Sequence, residues 1–199
     1  MTDNTARVLL IAGLLTMMAI SAYHRLRART GERLDRRQEG WFILLTLRPL
    51  AAVMMASLLA SLIRPSSMSW SSLPLPAWLR WTGAPIGIAA VCLLFWTLRS
   101  LGRNLTDTVV TRRDAALVTD GPYRWIRHPF YVSMLLGVIA TSLIAANWLL
   151  AITGVGMFSL LAVRASTEER NLVARFGRDY EEYRRRTGRF VPRRGERHC

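Results

Sequence analysis

Cysteine is scarce: Cys92 and Cys199 are the only two in 199 residues. One lies inside an apolar stretch and the other is the last residue, so the sequence supports neither a disulfide framework nor a metal centre. Lysine is missing altogether, and all 27 basic residues are arginine, a bias that genomic base composition produces. With 13 acidic residues the net charge is +14, which raises the question of nucleic acid. The motifs for that role are also missing: no zinc-finger spacing, no RNP-like aromatic strand, no helix-turn-helix between soluble helices. Arginine clusters between apolar runs instead, as the positive-inside rule gives for the loops of a membrane protein, and nucleic acid is set aside as a partner.

Hydrophobic residues make up 51% and charged residues 20%, yet mean hydropathy is +0.20. Charge and apolar surface must therefore be segregated along the chain. The apolar runs are about 15–22 residues long, the length that crosses a bilayer core. The length suits one domain, 1–199. The first span covers residues 8–23. A cleaved signal peptide is the competing reading, but the lead is nearly neutral (Asp3, Arg7) and the arginines follow the span at Arg25, Arg27, Arg29, Arg33, Arg36 and Arg37. That asymmetry orients a retained helix with its N-terminus outside. The second span, 41–63, carries Arg48-Pro49, with Arg48 about 10 Å inside, where it must snorkel, face a cavity or pair. Residues 64–80, rich in Pro, Ser and Trp, read as an external interfacial loop with aromatic anchors.

A third span covers 81–98, and 99–128 form a polar, arginine-containing connection. Spans four (130–146) and five (148–163) are separated only by Asn147, which demands a tight antiparallel helical hairpin. From residue 164 the chain is charged and helical in pattern to Gly188. The expected fold is all-α and integral to the membrane: about five transmembrane helices, a hairpin of spans four and five, and a C-terminal cytoplasmic amphipathic helix. Residues 24–40, 99–128 and 164–199 fall on the cytoplasmic side, and 64–80 with Asn147 fall outside, in a bacterial-type inner or plasma membrane. The first three spans occupy 1–98, and 99–199 form the core that carries the chemistry.

The hairpin has a consequence for placement. From His128 to Ala146 a helix climbs about 27 Å, and from Trp148 to Arg164 it descends about 24 Å. Arg164 thus returns to the depth of His128, bringing Tyr123, Arg127, His128 and Tyr131 near Arg164, Glu168 and Glu169. Arg164 and Glu168 are spaced i,i+4 on one helix face, which gives either a surface ion pair worth about 0.3–0.5 kcal/mol or a binding site. His128 before Pro129 can likewise cap the helix or serve chemistry.

The stretch 117–131, LVTDGPYRWIRHPFY, together with Arg164, Glu168-Glu169, Leu172, Phe176-Gly177, Tyr180, Tyr183 and Arg189-Phe190-Val191-Pro192, resembles the two signatures of the isoprenylcysteine carboxyl methyltransferases. Both occur in the family's order with a hairpin between them, covering residues 115–192. The resemblance implies S-adenosylmethionine as methyl donor, held on the cytoplasmic side of the spans rather than by a Rossmann domain. In keeping with that, no G-x-G-x-x-G follows a strand. By motif position the cofactor contacts are Leu117, Val118, Tyr123, His128, Pro129, Phe130, Tyr131, Glu168 and Glu169. Arg164 matches the arginine near the substrate carboxylate, and Arg164 and Glu168 are the implied catalytic pair. Ala115 and Ala116 depart from polar family positions, so side-chain contacts there are missing.

These residue types suit the reaction. An α-carboxylate, with a pKa of about 3.3–3.7, is already anionic and needs orientation rather than a base, and a guanidinium grips it in a two-point fork. Glu168 offers an acceptor to ribose hydroxyls or an amino group, and His128 or Tyr131 offers a donor to the cofactor's carboxylate. The implied acceptor is a prenylcysteine-like or other small lipophilic carboxylate arriving laterally from membrane lipid, with no metal required. A phospholipid ethanolamine N-methyltransferase, with Glu169 as base, stands as the alternative. Behind it stand an NADPH-dependent membrane reductase and a non-catalytic membrane protein. Cys199 ends no C-a-a-X signal, and Arg193, Arg194 and Arg197 suit anionic lipid heads.

Overall fold

The computed structural model describes residues 2–28, 41–102 and 116–193. Arg29, Arg33, Arg36, Arg37, Ala115, Arg194, Arg197 and Cys199 lie outside the described residues. Helix α1 is Asp3–Arg27; the Thr2 hydroxyl caps it by accepting from the Thr5 N–H, with Asp3 in the first turn and Arg25 and Arg27 in the last. Both charge placements complement the helix dipole. Helix α2 is Trp41–Ile63 and contains Pro49. A 3-10 helix, Pro65–Ser71, then leads to α3, Ala77–Leu101. The remaining helices are α4, Pro129–Ala145, α5, Trp148–Phe176, and α6, Arg178–Arg186. Among the described residues, strand-type pairing is confined to two isolated bridges, Ser72 with Asn147 and Ile126 with Gly188.

Among the described residues, four helices are long and apolar enough to cross a membrane: Asp3–Arg27, Leu45–Ile63, Ala77–Leu101 and Trp148–Phe176. Helix α4, at 17 residues, is apolar but shorter. Val8, Leu15, Leu45, Ile88, Ile152 and Val155 all stand exposed on these helices. Helices that are apolar around their circumference and bare on the outside are those a bilayer covers, and the chain is a multi-pass integral membrane protein.

Two boundaries differ from the sequence reading. Helix α3 begins at Ala77, inside the stretch expected as loop, because Pro76 in extended conformation starts it cleanly. The segment from 164, expected to be helical, is helical but is continuous with span five: α5 runs on to Phe176, since nothing between them breaks a helix. Gly177, at φ +53°, ends it. The charged segment from 164 is thus the extension of a membrane helix, and α6 is a separate nine-residue turn-off.

Helix α3 packs along α4, α1 lies on both, and α5 sits between α4 and α2. Small residues allow the close crossings: a methyl on Gly83 would strike Ile144 and the Ala140 carbonyl, and one on Gly154 would overlap Val138. Such contacts hold helices together in lipid, where apolar burial drives little. The α4–α5 turn is pinned by Asn147, whose Oδ1 accepts from Leu149 and Leu150 N–H and whose Nδ2 donates to Ser71 Oγ at 2.7 Å. Arg80 adds two bonds to the Ile144 carbonyl and faces Asp3 at 3.6 Å. At the opposite end of the bundle, α4 begins where the polar extension of α5 passes.

Candidate functional site

His128 occupies the N-cap position of α4, with Pro129 next, where a missing N–H costs nothing. Its side chain makes no capping bond. The buried ring turns toward α5 instead, with Nε2 at 3.2 Å from Glu169 Oε1 and Nδ1 at 3.8 Å from Glu168 Oε2. It stacks on Tyr131 at 5.3 Å between centroids with 4° between planes. The Tyr131 hydroxyl donates to Glu168 Oε2 at 2.9 Å. One turn of α4 therefore meets two consecutive carboxylates of α5.

Those two carboxylates have different surroundings. Glu169 is buried, and its oxygens accept from Arg127 Nε at 2.9 Å, from His128, and from Arg189 Nε and Nη2 at 3.2 and 2.8 Å. Arg127 also donates Nη1 to the carbonyls of Arg184 and Thr187. The side chain of Glu168 keeps 31% exposure against 6% for Glu169. Among the described residues, the contacts of Glu168 fall on Oε2, which leaves Oε1 as an acceptor.

Backbone pairing draws the end of the chain into the same place. Gly188 N–H donates to the Trp125 carbonyl at 3.1 Å, Arg127 N–H to Gly188 at 2.9 Å, and His128 N–H to Arg189 at 3.1 Å. The Tyr183 hydroxyl donates to the Tyr123 carbonyl at 2.8 Å. Burial pushes the Tyr183 hydroxyl up to about 12 and raises Tyr180 and Tyr123 further, Tyr123 also through the nearby Glu168 charge. All three are thus neutral phenols at physiological pH.

Phe130 joins an apolar cluster built on Tyr131, Leu161 and Ala165, together with Leu47, Phe158 and Phe190. Pro129 is buried, and Arg164 is half-buried one helical turn before Glu168. Leu117 and Val118, half-buried, lie in the irregular lead to the 3-10 turn Gly121–Arg124, which carries Tyr123. Arg48 stands exposed on α2. The joint role of Arg127 and Arg189 was not legible in the sequence. The R-F-x-P tail is its only trace, and it carries no periodicity to say where the tail returns. The arrangement offers an open carboxylate oxygen for a hydroxyl or ammonium, aromatic faces for a cation, and a guanidinium for a carboxylate.

Comparison with known proteins follows the same residues. The model of the isoprenylcysteine carboxyl methyltransferase (ICMT) family matches residues 83–174. The chain is 32% identical over 94 residues to the protein-S-isoprenylcysteine O-methyltransferase of Schizosaccharomyces pombe, covering 46% of this chain and 40% of that one. It is 34% identical over 120 residues to the cobalt-zinc-cadmium resistance protein CzcN of Cupriavidus metallidurans, covering 57% and 54%. The fold is similar to that of a solved eukaryotic intramembrane Ras methyltransferase ICMT, with a TM-score of 0.56 and 24% identity, over 73% of this chain and 51% of that one. The chain spans about half the length of the relatives it matches.

Proposed function

With residues 83–174 placed in the isoprenylcysteine carboxyl methyltransferase family, we propose that the chain is a membrane methyltransferase using S-adenosylmethionine, with the carboxylate of a prenylcysteine-like or other lipophilic molecule as acceptor. The observation that carries this reading is Glu168, fixed through Oε2 by Tyr131 and flanked by His128, with Oε1 left to accept among the described residues. S-adenosylmethionine offers both what Oε1 seeks, ribose hydroxyls and an ammonium, and a cation suited to the aromatic faces of Tyr131 and Phe130. When bound it supplies an electrophilic methyl group, and the protein's task is alignment and exclusion of water.

In this reading Leu117, Val118, Tyr123 and the turn His128-Pro129-Phe130-Tyr131 wall the cofactor site, and Glu168 anchors a polar group within it. Arg164 holds the acceptor carboxylate in a two-point fork, and since that group is ionised at neutral pH no base is needed. Glu169 enters only by holding His128. An amine acceptor would require a base, and Glu169 is already engaged by two guanidinium groups and an imidazole, so the carboxylate is the better fit. The apolar cluster around Phe158 and Leu161 receives a lipophilic tail arriving from the bilayer. Helix α4 completes five spans, with the N-terminus outside, the site at the cytoplasmic face of a bacterial-type inner membrane, and 99–199 as the catalytic core of a single domain.

Calorimetry on the detergent-purified protein should give S-adenosylmethionine binding at micromolar to sub-millimolar levels. NADPH binding in its place would overturn the assignment. Methyl transfer to N-acetyl-farnesylcysteine, compared with transfer to phosphatidylethanolamine, then identifies the acceptor class.

A further inference from the structure

Beside the carboxylate pair, on the far side of Arg127 and Arg189, lies an open cleft of about 420 Å³ lined by Arg127, Arg184, Arg185, Thr187, Gly188, Arg189 and Arg193. Five of the seven lining residues are arginine and none is acidic. Glu169, beneath Arg127 and Arg189, offsets one of these charges. Three of the five guanidinium groups are also held in position. Arg127 is fixed by the Arg184 and Thr187 carbonyls, Arg189 by Glu169 and the Ser166 hydroxyl, and Arg193 by the Arg185 carbonyl at 2.9 Å. Like charges gathered in a concave surface raise the local concentration of anions, and fixed guanidinium forks favour phosphate oxygens.

The position of the cleft says where such a phosphate comes from. Arg127 stands two residues before Pro129, where the apolar helix α4 starts, and Arg184 and Arg185 lie on α6, which follows directly from the membrane helix α5. Exposed apolar side chains neighbour the arginines along the chain: Trp125, two residues before Arg127 and with Arg124 over its ring at 4.9 Å, and Val191, 74% exposed, between Arg189 and Arg193. Tryptophan and arginine side by side at the end of a membrane helix mark headgroup depth. We propose that this cleft is a binding site for the phosphate headgroup of an anionic membrane phospholipid, separate from the methyl-transfer site. Arg184, Arg185 and Arg193 are its exposed contacts, while Arg127 and Arg189 link it to Glu169. The acceptor of the methyl group does not enter the inference.

Native mass spectrometry of the full chain in detergent, titrated with short-chain phosphatidylglycerol and phosphatidylcholine, tests it. Phosphatidylglycerol should bind at low stoichiometry, weaken as salt rises and exceed phosphatidylcholine. The triple variant Arg184→Gln, Arg185→Gln, Arg193→Gln should lose about tenfold or more of that affinity. A control with the same charge loss on exposed residues outside the cleft lining, Arg170→Gln, Arg175→Gln, Arg178→Gln, should lose little. If the triple variant fails to fold, the single variants Arg185→Gln and Arg193→Gln give the same reading in part. Equal losses in the two triple variants would overturn the site in favour of general surface charge. Glycerol 3-phosphate binding as tightly as the lipid would overturn the lipid as its occupant.

Discussion

Glu168 and Glu169 are consecutive on α5, yet Glu169 is enclosed by Arg127, His128 and Arg189 while Glu168 keeps an oxygen open. Substituting each should therefore fail differently. Glu169→Gln leaves two guanidinium groups without their anion. Because Arg189 is partly solvated, the loss falls at the low end for a broken buried pair, about 3 kcal/mol, read as a lowered melting temperature in detergent. Glu168→Gln should change stability by less than about 1 kcal/mol while weakening S-adenosylmethionine binding about tenfold or more, the size of a lost charged hydrogen bond. Equal melting of the two variants would contradict this division. Arg164→Ala should lower carboxyl methylation about a hundredfold or more with cofactor affinity little changed. Loss of both together would assign Arg164 to the cofactor or the fold.

At the scale of elements, the α4–α5 hairpin rests on Asn147, which caps α5 and reaches Ser71. Asn147→Ala should cost about 2 kcal/mol, combining a lost cap with a buried bond, and Ser71→Ala about 1 kcal/mol. A double-mutant cycle by thermal unfolding should show the pair coupled. This hairpin was also what made the site's neighbourhood legible. One intervening residue and two legs of similar rise put His128 and Tyr131 at the depth of Glu168 and Glu169, where the contacts are found at 3.2 and 2.9 Å. The end of α5 was less legible, because the change from apolar to charged at Arg164 looks like a boundary although only Gly177 supplies one. The return of residues 188–189 alongside 125–128 had no local signal, since pairing between distant segments is set by tertiary contact rather than by propensity.

For the molecule as a whole, labelling measures the proposed sidedness. In a background of Cys92→Ser and Cys199→Ser, a cysteine replacing exposed Ser66 should react with an impermeant maleimide in intact cells. One replacing exposed Asp179 should react only after permeabilisation, and the reverse pattern would invert the proposed topology. The pairing of 188–189 with 125–128 makes the segment after α6 a strap across the start of α4. A chain cut after Arg186 would keep the membrane-length helices yet lose Arg189 and the backbone bonds to 125–128, leaving Glu169 with Arg127 and His128 alone.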